Sequence, residues 1–147
     1  MQVREAKLSD LKNLSVLFNS YRMFYGKESD IRVAEEFLRS RIENKDSKIF
    51  ICEFNNELSG FVQLYPIFSS TRVSKYWLLN DLFVDINKRG GGYSKLLIEK
   101  SKELVIESEA CGMMLETEKS NEIGNILYPS TGFKKNELCN FYEWVPN

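Results

Sequence analysis

Residues Lys88 to Leu97 read KRGGGYSKLL, three glycines between a basic pair and an apolar-periodic run. Glycine carries conformational entropy that folding must remove, so three in succession require a reason. The stretch follows the apolar SKYWLLNDLFV and opens a helical pattern. At such a point free N–H groups and the positive end of the helix dipole converge. A backbone without Cβ atoms lets a diphosphate approach closely, and its amides become the ligands. Arg89 and Lys88 add positive charge beside it. A tight strand-to-helix corner that binds nothing uses the same residues. Two other phosphate signatures are absent: no Gly-Lys-Ser/Thr closes a P-loop, and Lys95 stands where a dinucleotide fingerprint needs its third glycine.

The chain has no histidine, which excludes a Ser-His-Asp triad, a Cys-His pair and an HExxH zinc site. Acid–base work then falls to Tyr, Asp, Glu, Lys, Cys, a terminal amine or water. Cys52, Cys111 and Cys139 are too scattered for a zinc cluster or a disulfide framework and read as small buried hydrophobes. A net charge of −1, with acids and bases interspersed, excludes an electrostatic nucleic-acid binder. No apolar run reaches the ~18 residues of a membrane span, and the N-terminus lacks a secretory pattern. The expectation is one globular domain over residues 1–147, cytoplasmic, without membrane or nucleic-acid partners.

The positioning elements follow from periodicity. VREA alternates as a strand, and Ser9 is placed to cap a helix carrying Leu11, Leu14, Val16, Leu17 and Phe18, which Gly26 ends. Ser29 or Asp30 caps a second helix with Ile31, Ala34, Phe37, Leu38 and Ile42 on one face. KIFICEF, GFVQLYPIF, SKYWLLNDLFV and GMMLET read as strands, the second interrupted near Pro66. A helix lies beyond the glycines, NEIGNILYPS is a short helix stopped by Pro129, and GFKK and LCNFYEWV are two closing strands. This order predicts an α+β fold.

On these residues the chain resembles the GCN5-related N-acetyltransferase (GNAT) family. VDINKRGGGYSKLL is similar to its acetyl-CoA motif, Arg/Gln-x-x-Gly-x-Gly/Ala, with Ser94 at the last position. NEIGNILYPSTGFKK resembles its later signature through Asn121, Tyr128, Gly132 and Phe133, with Gly124 replacing the usual Ala. The resemblance implies a mixed, mostly antiparallel sheet of six to seven strands, splayed at its centre and flanked by about four helices. It implies coenzyme A as cofactor, its pyrophosphate held by Arg89, Gly90, Gly91, Gly92, Tyr93, Ser94 and Lys95. The pantetheine arm would run beside Leu82, Phe83 and Val84, with Asn121 and Tyr128 also in contact.

The implied reaction moves acetyl from acetyl-CoA directly to a primary amine, a small molecule or a lysine or N-terminal amine. A main-chain N–H near Val84 polarises the carbonyl, and Tyr128 protonates the thiolate. For the base, Asp81 and Glu116 both qualify, with Asp81 preferred. The acceptor would meet an aromatic wall including Tyr21, Arg22, Tyr25 and Tyr142, with Asp81 attracting its charge. A non-catalytic acyl-CoA sensor of the same fold is the alternative. The family also implies a homodimer, for which the apolar FYEWV offers a contact.

Overall fold

Four successive residues of KIFICEF, Ile49–Cys52, are buried, as a strand covered on both faces requires. That strand, β2 (Lys48–Phe54), lies between β1 (Gln2–Glu5) and β3 (Glu57–Ser69), all antiparallel. β4 (Ser74–Val84) continues the antiparallel run, and β5 (Met113–Met114) adds one parallel strand. The order is β1-β2-β3-β4-β5. Asn55 and Asn56 turn β2 into β3 with both φ angles positive, the conformation a two-residue hairpin demands.

The structure is a computed structural model and describes residues 1–146. Its contacts define two compact units, Met1–Glu116 and the chain from Thr117 on. In the first unit, α1 (Leu11–Phe24) and α2 (Ile31–Asn44) cover one face of the sheet. Leu11, Leu14, Leu17, Phe18, Ala34 and Leu38 pack there on Ile49, Ile51, Phe61 and Phe83. The other face carries α3 (Tyr93–Glu107), which buries Leu97, Ile98 and Leu104. Gly60 permits this approach: a Cβ would lie 2.8 Å from the Phe83 carbonyl and 3.2 Å from Leu97 Cδ1. The second unit holds α4 (Glu122–Ser130). No helix among the described residues is long and apolar enough to cross a membrane.

The fold is the α+β arrangement that the motifs imply, with four helices but five strands rather than six or seven. Two of the expected strands are missing among the described residues: the tail after α4 forms none. Its Leu138, Phe141, Tyr142, Trp144 and Val145 are all exposed, so no packing holds their alternation in place. GMMLET contributes only its two methionines to the ladder. Pro66 does not interrupt β3, because pairing with β2 ends at Leu64 and leaves an edge where a missing N–H costs nothing.

At the start of α1, Asp10 rather than Ser9 organises the entry. Its Oδ2 accepts the Lys7 N–H at 2.7 Å, and both oxygens accept from Arg4. α2 begins as expected, with Asp30 accepting the Val33 N–H at 3.0 Å. α4 continues one residue beyond Pro129, to Ser130. Cys52 is buried as expected, whereas Cys111 and Cys139 are exposed.

Candidate active site

The site begins with a flaw in β4. Asp81 faces Gln63 and Leu79 faces Leu64, which leaves Asn80 as an extra residue, a β-bulge. The Asp85 N–H donates to the Ser59 carbonyl of β3 at 2.9 Å, so alternation turns the main-chain groups of Leu82 and Val84 away from β3. On that side β5 pairs with Trp77 and Leu78 only. The backbone of Leu82 and Val84 therefore has no strand partner among the described residues. This is an open edge inside a sheet, and an extended ligand matches it by adding as a strand.

Six to eight residues past Val84, the glycines shape a second open backbone. Gly90 and Gly92 have φ of 84° and 81°, a region that side-chain-bearing residues rarely enter. Gly91 is exposed, but a Cβ there would lie 2.4 Å from the buried Tyr93 ring. Gly92 starts α3 without a side-chain cap, and its carbonyl accepts the Leu96 N–H at 3.2 Å. Among the described residues, the amides from Gly90 to Lys95 make no hydrogen bond. Six unpaired donors at a helix N-terminus are suited to accept an anion. Of these residues, Ser94 is half-buried and Lys95 exposed.

The basic pair before the glycines already has partners, and Arg89 Nε donates to the Val84 carbonyl at 3.4 Å. Lys88 Nζ bonds Glu57 at 2.6 Å. The Arg89 guanidinium lies 5.4 Å from the Phe24 ring centre and 5.9 Å from that of Phe83. Cation and ring faces attract at this range, so Arg89 ties the loop to the end of α1.

Past the bulge, Asp81 turns onto the face that α1 covers and is only 6% exposed. Its Oδ1 accepts from the Tyr21 hydroxyl at 2.7 Å and from Asn80 Nδ2 at 3.0 Å. Its Oδ2 accepts from Gln63 Nε2 at 2.8 Å, and Ser47 in turn donates to Gln63 Oε1 at 3.1 Å. All three donors to the carboxylate are uncharged. Burial, and then the Asp81 charge, push the neighbouring Tyr65 phenol up to about 12. The Tyr21 ring meets Phe61, Phe83 and Tyr25 edge-on, at 5.7, 5.9 and 5.1 Å between centres.

In the second unit, Asn121 caps α4, its Oδ1 accepting the Gly124 N–H at 3.0 Å. Tyr128 stacks edge-on against Phe133 at 5.8 Å. Gly132, with φ of 90°, makes the turn that brings Phe133 back, and the Phe133 N–H donates to the Tyr128 carbonyl at 3.1 Å.

Residues 14–133 match the model of the acetyltransferase (GNAT) family. The chain belongs to the GNAT acetyltransferases. An uncharacterized N-acetyltransferase, YhfO, of Bacillus subtilis strain 168 is 41% identical over 135 residues, 92% of this chain and 91% of that one. A probable acetyltransferase of Haemophilus influenzae is 29% identical over 144 residues, 97% of each chain. A solved structure of a probable acetyltransferase superposes with a TM-score of 0.94 at 33% identity, over 100% of this chain and 99% of that one.

Within this GNAT acetyltransferase, the first unit brings together Asp81, Tyr21, Leu82, Phe83, Val84 and the loop from Arg89 to Lys95. Tyr25 closes the end of α1 and packs on Tyr21. Arg22 supports the α1–α2 connection, its Nη1 donating to the Asp30 carbonyl at 3.5 Å and its own carbonyl accepting the Lys27 N–H at 3.1 Å. Glu116 lies two residues past the end of β5 and is exposed, not on a strand beside Asp81. Tyr142 sits in the exposed tail. Sequence reading missed Gln63 and Asn80. The signal for Gln63 was present, one amide inside the apolar GFVQLYPIF, and the structure buries it completely. Nothing in the sequence announced the bulge at Asn80.

Proposed function

We propose that this GNAT acetyltransferase moves an acetyl group from acetyl-CoA directly to a primary amine. The observation that carries the reading is the run of unpaired amides from Gly90 to Lys95, set after the stretch of β4 at Leu82 and Val84 that no strand pairs on its outer side. A diphosphate followed by an extended arm with amide groups satisfies both, and coenzyme A has that composition.

In this reading the residues divide the work. The amides of Gly90, Gly91, Gly92, Tyr93, Ser94 and Lys95 hold the diphosphate, and the Leu82–Val84 backbone aligns the pantetheine. A main-chain N–H near Val84 polarises the thioester carbonyl and stabilises the charge that develops on its oxygen. Asp81 is the proton acceptor, favoured over Glu116 by its burial, its three donors and its place beside the bulge. Tyr128 donates a proton to the departing thiolate, the hydroxyl of a phenol being able to act as a general acid. Tyr21 and Tyr25 line the acceptor's approach. The acceptor class is a small amine, a lysine or an N-terminal amine, and the chain acts without nucleic acid or membrane, in the cytoplasm and as a homodimer.

The test is release of free thiol from acetyl-CoA in the presence of polyamines, aminoglycosides, amino acids and lysine peptides. Turnover with one of these classes is expected, and Tyr128→Phe lowers it about 100-fold while coenzyme A affinity stays unchanged. An enzyme inert with every amine refutes the reading, and a fully active Tyr128→Phe removes that residue from the mechanism.

A further inference from the structure

Asp81 is well placed to receive a proton but poorly placed to meet an amine. The residue is 6% exposed, and its two oxygens are engaged by Tyr21, Asn80 and Gln63. Tyr21, by contrast, is half-buried at the solvent side of this cluster, with its ring held among Phe61, Phe83 and Tyr25. Its hydroxyl donates to Asp81 Oδ1 at 2.7 Å, the usual length of an O–H···O bond. The oxygen of a donating phenol keeps acceptor capacity for an incoming N–H.

From this geometry we infer that Tyr21 is a catalytic residue, a relay that takes the amine's proton on its oxygen while passing its own to Asp81. This rests on the acetyltransfer reading above. As the amine nitrogen bonds to the thioester carbonyl carbon it becomes cationic and its N–H acidic. That proton goes to Tyr21 Oη, and the Tyr21 hydroxyl proton goes to Asp81 Oδ1. The C–S bond then breaks, its electron pair leaves on sulfur, and the thiolate takes a proton from the acid. One amide, one thiol, one protonated Asp81 and one deprotonated acid result; Asp81 returns its proton to solvent by the reverse path, and the acid takes one back from solvent. Gln63 and Asn80 are positioning residues: they fix the carboxylate so that Oδ1 faces the phenol. Ser47 orients Gln63 from behind.

The experiment compares full-length wild type, Tyr21→Phe, Asp81→Asn and the double variant in the thiol-release assay, with an amine that the wild type accepts. Phenylalanine keeps the ring contacts and removes only the relay atom. Each single variant is expected to lose about 100-fold in kcat, with KM for acetyl-CoA within two-fold of wild type. The double variant is expected to be no slower than the slower single one, because the two groups act as a unit. Tyr21→Phe within three-fold of wild-type kcat overturns the relay, and so do single losses that multiply in the double variant. If Asp81→Asn does not fold, Gln63→Leu replaces it in the same cycle: non-additive loss with Tyr21→Phe supports the relay, and multiplicative loss overturns it. A wild type inert with every amine takes down the acetyltransfer reading as well, whereas an active wild type with an active Tyr21→Phe removes the relay alone.

Discussion

Gly124 stands where the family's second motif usually carries alanine, and Asn121 supplies the reason. The Asn121 side chain folds over the helix start, accepting from the Gly124 N–H at 3.0 Å and donating to Thr117 Oγ1 at 2.9 Å. A Cβ on residue 124 would lie 2.5 Å from Asn121 Nδ2 and 2.9 Å from its Cγ. Alanine is better than glycine inside a helix by about 1 kcal/mol, and losing an Asn cap costs about the same. The two effects oppose each other here, so Gly124→Ala is expected to leave α4 no more stable than before, or less. In an Asn121→Ala background the clash is gone, and the same Gly124→Ala should then stabilise by about 0.5–1 kcal/mol. Thermal melts of the four proteins, followed by circular dichroism, report this reversal of sign. An equal gain in both backgrounds would mean that Asn121 does not dictate the glycine.

At the scale of elements, Arg4 joins three segments. Its guanidinium bonds Glu53 on β2 at 2.8 Å and Asp10, in the turn before α1, at 2.7 Å. The bond from Arg4 holds the Asp10 carboxyl below its ordinary value, with a smaller contribution from the Lys7 N–H. A carboxyl depressed on folding contributes stability above its unfolded pKa, near ~3.9, and loses it as pH falls through the lower folded value. The Arg4 side chain is 29% exposed, so solvent screens the pair and its worth is about 1 kcal/mol. Asp10→Asn should therefore cost about that much at pH 7 and progressively less as pH falls below the unfolded value towards the lowered folded one, as measured by urea midpoints across the range. The sequence placed a helix start here but chose Ser9 to organise it, because a carboxylate held by a residue on another strand is not a local signal. The same division runs through the molecule. β2 and β4 were legible to the residue, as KIFICEF and SKYWLLNDLFV, because turn residues bound their apolar runs. The glycine stretch was legible because its donors are consecutive. The Asp81 cluster was half legible: Asp81 and Tyr21 stood out singly, but their bond spans sixty residues and depends on the bulge at Asn80. The tail was misread as two strands because aromatic alternation states a propensity, and propensity without a packing surface does not make a strand.

At the scale of the whole molecule, a ligand held by the native backbone and not by the unfolded chain stabilises the fold by mass action. At one hundred times its dissociation constant the gain is about 2.7 kcal/mol, which for a chain of this size raises Tm by roughly 5–10 °C. If the Gly90–Lys95 amides are the main anchor, the diphosphate accounts for most of that gain. Coenzyme A and its form lacking the 3′-phosphate should then raise Tm alike, and pantetheine, which has no diphosphate, should raise it by less than 2 °C at the same concentration. Gly91→Ala separates this from general charge attraction. It leaves every lysine and arginine in place, but its Cβ would meet the buried Tyr93 ring at 2.4 Å, so that ring or the loop beside it must give way. The variant's Tm, read against its own ligand-free value, should rise by less than a third of the wild-type amount. A full rise in Gly91→Ala, or a pantetheine effect equal to that of coenzyme A, would place the anchor on the arm and the β4 edge. The three glycines would then serve only to join β4 to α3.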